Sequence, residues 1–397
     1  MADAAREAWI TGIGIVSCLG EGPQAHWQKL MQGRPGANAS KIPPYLVHPL
    51  APLNLDAQIP KKGDQRQMEP WQRTGTYAAG LALDSAGVKG KTDILSQMDM
   101  IVAAGGGERD VAVDSAILTG IAQADKPDAY LNERLMSDLR PTLFLAQLSN
   151  LLAGNISIVH GVTGSSRTFM GEESSGVDAV RIAVSRIAAG QSDIALVGGS
   201  HNAEREDLIM LYEFGGYNLA GDYKPVWERG EKGGLILASL GAFLVIEARD
   251  HAQARGARPL ARIGGVMSDR SNRKAGTATA ALRRMYQAFK PRLKAGGYGV
   301  ISGATGAQPA TGEERAFLGE LGKVAVRATG SYIGHGFEPQ FVMNVALAAV
   351  ALEHGSLFPP CDASGLEQPM SGALAQALVT SIGHWRGEGL ALIEKVE

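Results

Sequence analysis

The sequence predicts an α/β fold built around a buried sheet. Short apolar runs bounded by glycine alternate with segments of helical periodicity, as expected for alternating strands and helices. Glycine accounts for 51 of 397 residues, or about 13%, against about 7% in average proteins, so many tight turns are expected. A hydrophobic content of 45% can form a large core and excludes a disordered or fibrous chain.

Strands are predicted where an apolar run lies between turn residues, and helices where apolar residues recur every three to four positions before a glycine or proline. The predicted strands are Trp9 to Val16, Met98 to Ala104, Ile156 to His160, Asp193 to Gly198, Leu235 to Glu247, Leu260 to Val266, Gly299 to Ser302, Val324 to Ala328, Ala377 to Ile382 and Leu390 to Val396. The predicted helices are Pro23 to Met31, Arg73 to Ala86, Thr142 to Ala153, Val177 to Ala189, Ala280 to Lys290 and Phe341 to His354.

The two halves of the chain resemble each other in pattern. A turn rich in small residues, a helix and a strand follow one another at Ser165 to Gly198 and again at Ala325 to Ile382. The charged, turn-rich stretch Ala248 to Arg258 is a plausible boundary between them. We therefore predict two units, residues 1–250 and 251–397.

Cysteine usage and hydropathy indicate a cytoplasmic protein without a membrane span. The two cysteines, Cys18 and Cys361, are too few for a disulfide framework and wrongly spaced for a zinc site. This usage is typical of a reducing cytoplasm. The longest apolar runs, Gly233 to Ile246 and Phe341 to Leu352, are shorter than the ~18 residues of a membrane helix.

Charge is distributed unevenly along the chain. The formal net charge is only −2, but residues 251–300 hold eleven lysines and arginines and a single acid, Asp269. Such a basic segment favours an acidic partner. The alternative is a solvated helix face without a partner.

Four segments resemble one known family. They are the opening run AWITGIGIVSCLGEGPQAHWQKLMQGRPG, residues 155–200, residues 225–254 with their long hairpin, and residues 327–360 with a Gly-His loop and an EHG turn. These segments, which follow one another in the family's order, resemble the β-ketoacyl-acyl carrier protein synthases of fatty acid and polyketide synthesis. The resemblance implies a thiolase-like fold, with duplicated halves in a five-layer αβαβα sandwich. It also implies a dimer built around the strand before the nucleophile.

The family's active site consists of a cysteine that accepts the acyl group and two histidines that stabilise an enolate. Aligning Gly164 and Gly198–Gly199 with the family without gaps places its cysteine on Glu173. Its first histidine motif corresponds to VISGATGAQ, which places that histidine on Ala304, and its second corresponds to ATGSYIGHG, which retains His335. No thiol lies nearby. The resemblance therefore predicts a site that has kept one of its three catalytic side chains.

Further positions of the site also differ from the family. Gly330 replaces its lysine, and Ser239 replaces the glutamate of its hairpin. The glycine-phenylalanine gate over the acyl pocket corresponds to Gly383 and His384 in the run SIGHWRGEG, so His384 replaces the phenylalanine. Ile382 directly precedes the glycine. The residues predicted to line the substrate and acyl gate are Ser239, Gly330, Ile382 and His384.

The replacements argue against condensation. A glutamate accepts an acyl group only as a labile mixed anhydride, and an ionised Glu173 would repel a developing enolate by about 4 kcal/mol at ~4 Å and an effective dielectric of roughly 20. A protonated Glu173 would escape this penalty. Two simpler roles stay open: Glu172 and Glu173 as acids that complement a helix dipole, and His335 as a structural residue.

The leading hypothesis is a non-condensing partner of an active ketosynthase, as chain-length factors are, that shapes the acyl tunnel and helps dock acyl carrier protein. Arg270, Arg273 and Lys274 are predicted to contact the carrier, because the family's corresponding segment approaches the pantetheine channel. The protein itself binds no cofactor or metal, and its substrates are carried on the phosphopantetheine of the carrier. A homodimer and a heterodimer with an active ketosynthase are both open.

Two alternatives remain from the sequence. An active family acyltransferase, malonyl-carrier decarboxylase or thioesterase would use Glu173 and His335 as acid and base. Nucleic-acid binding by residues 251–300 is disfavoured, because the basic residues are not interleaved with exposed aromatic residues.

Overall fold

The computed structural model describes residues 5–39, 42–138, 144–145 and 147–396. The strands of this part are β1 (Ala8–Ser17), β2 (Gly20–Glu21), β3 (Val47–His48), β4 (Asp99–Ala103), β5 (Ser166–Phe169), β6 (Ile194–His201), β7 (Leu237–Ala238), β8 (Leu240–Ala248), β9 (Ala261–Asp269), β10 (Tyr298–Ser302), β11 (Val326–Ala328), β12 (Gln376–Ile382) and β13 (Glu388–Glu394). The helices are α1 (Gly22–Met31), α2 (Lys62–Gln67), α3 (Pro70–Ser85), α4 (Thr92–Leu95), α5 (Val111–Gln123), α6 (Pro127–Ser137), α7 (Leu151–His160), α8 (Glu172–Ala188), α9 (Glu206–Phe214), α10 (Arg249–Ala254), α11 (Thr277–Phe289), α12 (Ala310–Glu320), α13 (Gly330–Ile333) and α14 (Gln340–His354).

Most strands belong to one sheet whose two halves have the same plan. The first half has the order β1-β8-β6-β4-β5 and the second β9-β13-β12-β10-β11. In each half the first two pairs are antiparallel and the next two parallel. Residues 8–10 of β1 pair with residues 261–263 of β9 and join the halves. The duplication predicted from the sequence is therefore present in the topology.

The helices form three layers around the half-sheets. Helix α3 packs on β1, β8 and β6, and α11 packs on β13 and β9. Helices α8 and α14 contact each other and strands of both halves, so they form the central layer. Residues 340–352 of α14 are all buried, as expected for a helix enclosed on every side. The five-layer thiolase-like sandwich is confirmed.

The close approach of β1 to α3 explains the glycines of the first strand. A Cβ atom at Gly14 would lie 2.0 Å from the backbone oxygen of Ala78, and one at Gly12 would lie 2.4 Å from that of Ala82. A larger residue at either position would push the helix off the sheet. The run GIG in β1 is therefore needed for packing.

Two predicted elements differ from the structure. The strand predicted at Ile156 to His160 is wrong, because these residues form the end of α7, where Leu152 and Ile156 are buried at helical spacing. Of the helix predicted at Thr142 to Ala153, residues 144–145 are helical, residues 147–150 are not, and α7 begins at Leu151; residues 142, 143 and 146 lie outside the described part. The boundary between residues 250 and 251 stays a prediction.

Across the described ranges, no helix combines the length and the apolar character that crossing a bilayer requires.

Candidate active site

Glu173 lies in the first turn of α8, directly after β5. The backbone reaches it through two residues in the left-handed region, Gly171 with φ 119° and Glu172 with φ 54°. This conformation is unusual for a residue with a side chain, and such backbone strain concentrates at functional sites. The sharp turn places Glu173 in the interior, where it is only 2% exposed.

The Glu173 carboxylate is held by three donors. His335 Nε2 lies 2.8 Å from Glu173 Oε1, and the backbone N–H of His384 donates to Oε2 at 3.2 Å. Burial is the largest single effect and raises the pKa of Glu173, but the hydrogen bond and charge of His335 and the N–H groups of Glu173 and His384 together outweigh it. The pKa of Glu173 therefore lies below its ordinary value, and the group is a carboxylate near pH 7.

His335 is positioned by the hairpin that contains Ser239. Its backbone N–H donates to the oxygen of Ile236, and its backbone oxygen accepts from Ala238, both at 2.9 Å. Ser239 Oγ accepts from the N–H of Ala203 at 3.0 Å. Ser239 thus stabilises the loop after β6 and takes no part in an acid-base contact.

His384 contributes its backbone to the site, while its ring stays apart. The ring is 6% exposed and packs edge-on against Tyr217 at 4.0 Å between centroids. Neither ring nitrogen has a hydrogen-bond partner. Burial lowers the pKa of His384, so the imidazole is neutral near pH 7.

Ala304 and Gly330 contact each other in an apolar part of the site. A Cβ atom at Gly330 would lie 2.7 Å from the backbone oxygen of Ala304 and 3.1 Å from Val226. Ala304, Val226 and Ile382 belong to one hydrophobic cluster. The positions that the resemblance assigns to the first histidine and the lysine are therefore closed by packing and carry no side-chain donor.

A loop of residues 383–387, here called the gate loop, closes over Glu173. Arg273 donates from Nη2 to the backbone oxygens of Gly383, at 2.6 Å, and Gly387, at 3.1 Å, and pairs through Nη1 with the buried Glu388. Arg386 Nε lies 3.4 Å from Glu172 Oε2. The gate loop is thus tied both to the start of β13 and to the start of α8.

The residues predicted to contact a carrier have different environments. Arg270 and Lys274 are exposed, whereas the guanidinium of Arg273 is engaged by the gate loop and Glu388. The basic excess of residues 251–300 is also offset within the chain. Seven of its arginines pair with acids, in the pairs Arg255–Glu247, Arg258–Glu353, Arg262–Glu394, Arg273–Glu388, Arg283–Glu320, Arg284–Asp269 and Arg292–Glu394.

One ionisable residue near the site, Glu338, was not predicted from the sequence. Glu338 is 7% exposed, and burial raises its pKa to about 7, with the charges of Glu173 and Glu172 adding to the rise. An acid directly before the apolar helix α14 was the available signal. Within the described ranges, no cluster of three or more histidines, cysteines or acids could hold a metal ion.

The family model described as "Beta-ketoacyl synthase, N-terminal domain" matches residues 5–251. The 3-oxoacyl-[acyl-carrier-protein] synthase 2 of Vibrio harveyi is 23% identical over 356 residues, which cover 83% of this chain and 82% of that protein. Its counterpart from Rhizobium meliloti is 27% identical over 287 residues, 66% of this chain and 63% of the relative. The matched region thus spans less than two thirds of the Rhizobium protein.

Solved structures agree with the fold. The chain matches a structure described as "The ishigamide ketosynthase/chain length factor" with a TM-score of 0.80 and 18% identity, over 99% of this chain and 100% of the other. It also matches, with a TM-score of 0.78 and 17% identity, a chain of the structure described as "AntDE:AntF (apo): type II PKS acyl-carrier protein in complex with its ketosynthase bound to the hexaketide", over 99% of this chain and 100% of the other. Because the family model covers more than half of the sequence, the chain belongs to the beta-ketoacyl synthase family.

Proposed function

We propose that this chain is a non-condensing subunit of fatty acid or related lipid synthesis, which pairs with an active ketosynthase, shapes its acyl tunnel and helps dock acyl carrier protein. The buried Glu173–His335 hydrogen bond carries the proposal, because it occupies the position that the resemblance assigns to the acyl-accepting cysteine. The two thiols have other neighbours: Cys18 lies near His48, and Cys361 near Tyr223.

Glu173 is a poor acyl acceptor on chemical grounds. Attack by its carboxylate on a thioester would give an anhydride, which hydrolyses far more readily than the thioester that it replaces. Its lowered pKa and three hydrogen-bond donors stabilise the free carboxylate and reduce its nucleophilicity further. A stable covalent intermediate on this residue is therefore not expected.

Malonyl decarboxylation is disfavoured by the same contacts. The enolate that forms needs hydrogen-bond donors, and losing one such donor typically costs about 10² to 10³ in rate. His335 Nε2 already donates to Glu173, and Ala304 offers no donor. The carboxylate would also repel the enolate, by about 4 kcal/mol at ~4 Å.

A pairing role is supported by the surface and by the relatives. Strand β5 is the last strand of its half-sheet, and Ser166 and Arg167 in it are exposed. Large apolar side chains are exposed nearby in sequence, with Ile158 at 71% and Met170 at 64%. A partner strand added to the edge at β5 would cover apolar residues of this kind if they lie beside it. One structural neighbour is described as a ketosynthase with a chain length factor, the arrangement proposed here.

Carrier docking would use the exposed side of the gate loop. A cleft of about 500 Å³ is lined there by three arginines, Arg181, Arg270 and Arg386, and by three acids, Asp178, Asp269 and Glu388. Exposed arginines at a channel mouth attract the acidic surface and the phosphate of a carrier. Lys274 adds a further exposed charge, whereas Arg273 would act through the gate loop.

The test uses the full chain with malonyl-carrier and an acyl-carrier primer, alone and with a cysteine-containing ketosynthase isolated with it from the native cell. We expect no carbon dioxide release and no condensation from the chain alone, and condensation from the pair. Glu173→Ala in the pair should leave turnover within a few-fold, with Glu172→Gln as the matched control. Turnover by the chain alone that is abolished in Glu173→Ala would refute the proposal.

A second candidate rests on the same contact. A carboxylate 2.8 Å from an imidazole is a plausible acid-base pair, as a thioesterase or decarboxylase would need. The assay above separates the two, because hydrolysis of acyl-carrier by the chain alone would require both Glu173 and His335. An acyl-carrier thioester that persists for hours in the presence of the purified chain excludes the thioesterase, and the absence of carbon dioxide release from malonyl-carrier excludes the decarboxylase.

A further inference from the structure

A basic cleft lies at the end of the second half-sheet that is remote from the gate loop. It has a volume of about 540 Å³ and is lined by residues of both halves, near the pairing of β1 with β9. Strand β12 begins beside it at Gln376 and ends at Ile382, directly before the gate loop. Because seven extended residues span roughly 20 Å, the cleft is separate from the Glu173–His335 pair.

Positive charge in the cleft exceeds negative charge by three. Five cations and two acids line it: Arg249, Arg262, Arg292, Lys294, Lys395, Glu7 and Glu394. Three of the cations belong to the basic segment 251–300. The whole chain has a formal net charge of −2, so the surplus is local. A concave surface lined by one sign of charge concentrates ions of the opposite sign.

Glu394 is shared between two of the arginines. Its Oε2 accepts from Arg262 Nη2 and from Arg292 Nη2, each at 3.0 Å. Its Oε1 accepts from the amide of Gln376, also at 3.0 Å. The two guanidinium groups therefore lie close together and repel each other, and one carboxylate charge compensates only one of them.

Glu7 leaves two further cations without a hydrogen-bonded acid. Its Oε1 accepts from Arg262 at 3.2 Å, and its Oε2 accepts from the indole N–H of Trp9 at 3.3 Å. Arg249 Nη1 lies 3.6 Å from Glu7 Oε2, which is too long for a hydrogen bond, and half of the Arg249 side chain is exposed. Within the described part of the chain, no acid forms an ion pair with the exposed Lys395. The donors of Arg249 and Lys395 are thus available to a ligand.

Linked phosphate groups are the anions that this arrangement suits best. Guanidinium groups bind phosphate oxygens through paired N–H donors, and an ammonium group adds a point charge. A surplus of three matches a diphosphate at neutral pH better than a single phosphate. Arg249 comes from the first half of the chain, whereas Arg292 and Lys395 come from the second, so two linked phosphates can engage both sides.

We propose that this cleft binds a small molecule with two linked phosphate groups, held between Arg249 on one side and Arg292 and Lys395 on the other. Inorganic diphosphate and nucleoside diphosphates share this chemistry. An acyl chain is a poor occupant, because it would cover these charges without pairing them. The site does not depend on the proposed pairing with a ketosynthase.

Isothermal titration calorimetry on the full chain at pH 7.5 and low salt tests the site, with inorganic diphosphate, ADP and sulfate as probes. Diphosphate should bind with a Kd below about 1 mM, and at least about tenfold more tightly than sulfate at equal ionic strength. Tighter binding of ADP than of diphosphate assigns a nucleotide, and equal or weaker binding assigns the inorganic ion. No diphosphate binding would overturn the inference, as would equal binding of sulfate, which marks an adventitious ion only.

Four variants keep the test decisive. Arg249→Gln and Lys395→Gln should each weaken diphosphate binding about three- to tenfold, because each removes a charge that no carboxylate engages closely. Glu7→Gln should strengthen it about threefold, since a lining negative charge is lost. Lys323→Gln, an exposed lysine after α12, is the matched control and should leave binding unchanged.

Two results with these proteins would contradict the assignment. One is unchanged diphosphate binding in the folded double variant Arg249→Gln/Lys395→Gln. The other is a single-stranded oligonucleotide that binds more tightly than ADP and is weakened by the same two substitutions, because this would assign the surface to nucleic acid. Neither result bears on condensation by the proposed pair, so the two proposals can fail independently.

Discussion

Replacing His335 with leucine should destabilise the protein by about 3–5 kcal/mol, because it leaves the Glu173 carboxylate buried without its side-chain donor. Both residues are 2% exposed, so water cannot replace the lost hydrogen bond. The N–H of His384 still donates to the carboxylate and places the expected cost near the lower end of that range. Glu173→Leu should cost less, since a histidine can become neutral when its partner is removed.

The double variant Glu173→Leu/His335→Leu tests whether the pair acts as a unit. Two apolar side chains of similar volume remove both buried polar groups, and such replacements are often neutral or stabilising. The double variant should therefore be more stable than His335→Leu alone, with a coupling of at least about 2 kcal/mol. Urea unfolding followed by tryptophan fluorescence gives each free energy, provided that the m-values agree.

The dependence of stability on pH tests whether Glu173 and His335 are coupled. In wild type, the lowered pKa of Glu173 contributes stability above the unfolded value of 4.5, and this is lost as pH falls below it. In His335→Leu the unpaired carboxyl disfavours the folded state at high pH, and lowering the pH towards 5 should relieve the defect. Additive single effects, or a defect that is independent of pH, would show that the two side chains are not coupled.

Three other outcomes follow from buried groups. Acidification from pH 6.5 towards 4 should lower the melting temperature, because burial lowers the pKa of each of three histidines to about 4 and only the unfolded chain then takes up the protons: His26, His160 and His201. Arg273→Ala should speed hydrogen exchange in residues 383–387, because it removes the donor to the Gly383 oxygen. Arg283→Ala is the control: its ion pair with Glu320 is exposed, so it should lower the free energy of unfolding by under about 1 kcal/mol. Gly330→Ala should cost about 1–3 kcal/mol in urea unfolding, because its Cβ would lie 2.7 Å from the Ala304 oxygen; wild-type stability would contradict that packing.

Central strands were the most predictable elements. The strand predicted at Trp9 to Val16 is observed at Ala8–Ser17, and the one at Ala377 to Ile382 is observed at Gln376–Ile382. Strands enclosed between helical layers are apolar on both faces, so they appear as continuous runs bounded by turns. The family resemblance then supplied the duplicated order that local patterns cannot give.

The error at Ile156 to His160 has a local cause. A five-residue apolar run does not distinguish a strand from a buried helix segment by periodicity. The residues before it are part of the same helix, α7, whose contacts with α3 fix its conformation. Tertiary packing therefore determines that this segment is helical, because its hydrophobic pattern fits both a helix and a strand.

The site was predictable in position but not in its contacts. Glu173 and His335 were assigned by resemblance, yet their hydrogen bond joins residues 162 positions apart, which no local pattern reveals. The basic segment shows the same limit, since five acids from other parts of the chain pair with its arginines: Glu247, Glu320, Glu353, Glu388 and Glu394. The net charge of a segment, counted along the sequence, is therefore a poor guide to the charge that the segment presents on the surface of this five-layer fold.

The contacts of Glu173 hold the gate loop in place, which fits the proposed non-condensing role. The carboxylate accepts the N–H of His384, while Arg273 donates to the carbonyls of Gly383 and Gly387, so the loop is held on both of its sides. A ketosynthase that takes and releases acyl groups needs access to its nucleophile past this loop. A subunit that only shapes the tunnel has no such requirement. A permanent charge at position 173 would then keep the loop closed as a fixed wall, which links the loss of the thiol to the proposed tunnel-shaping role.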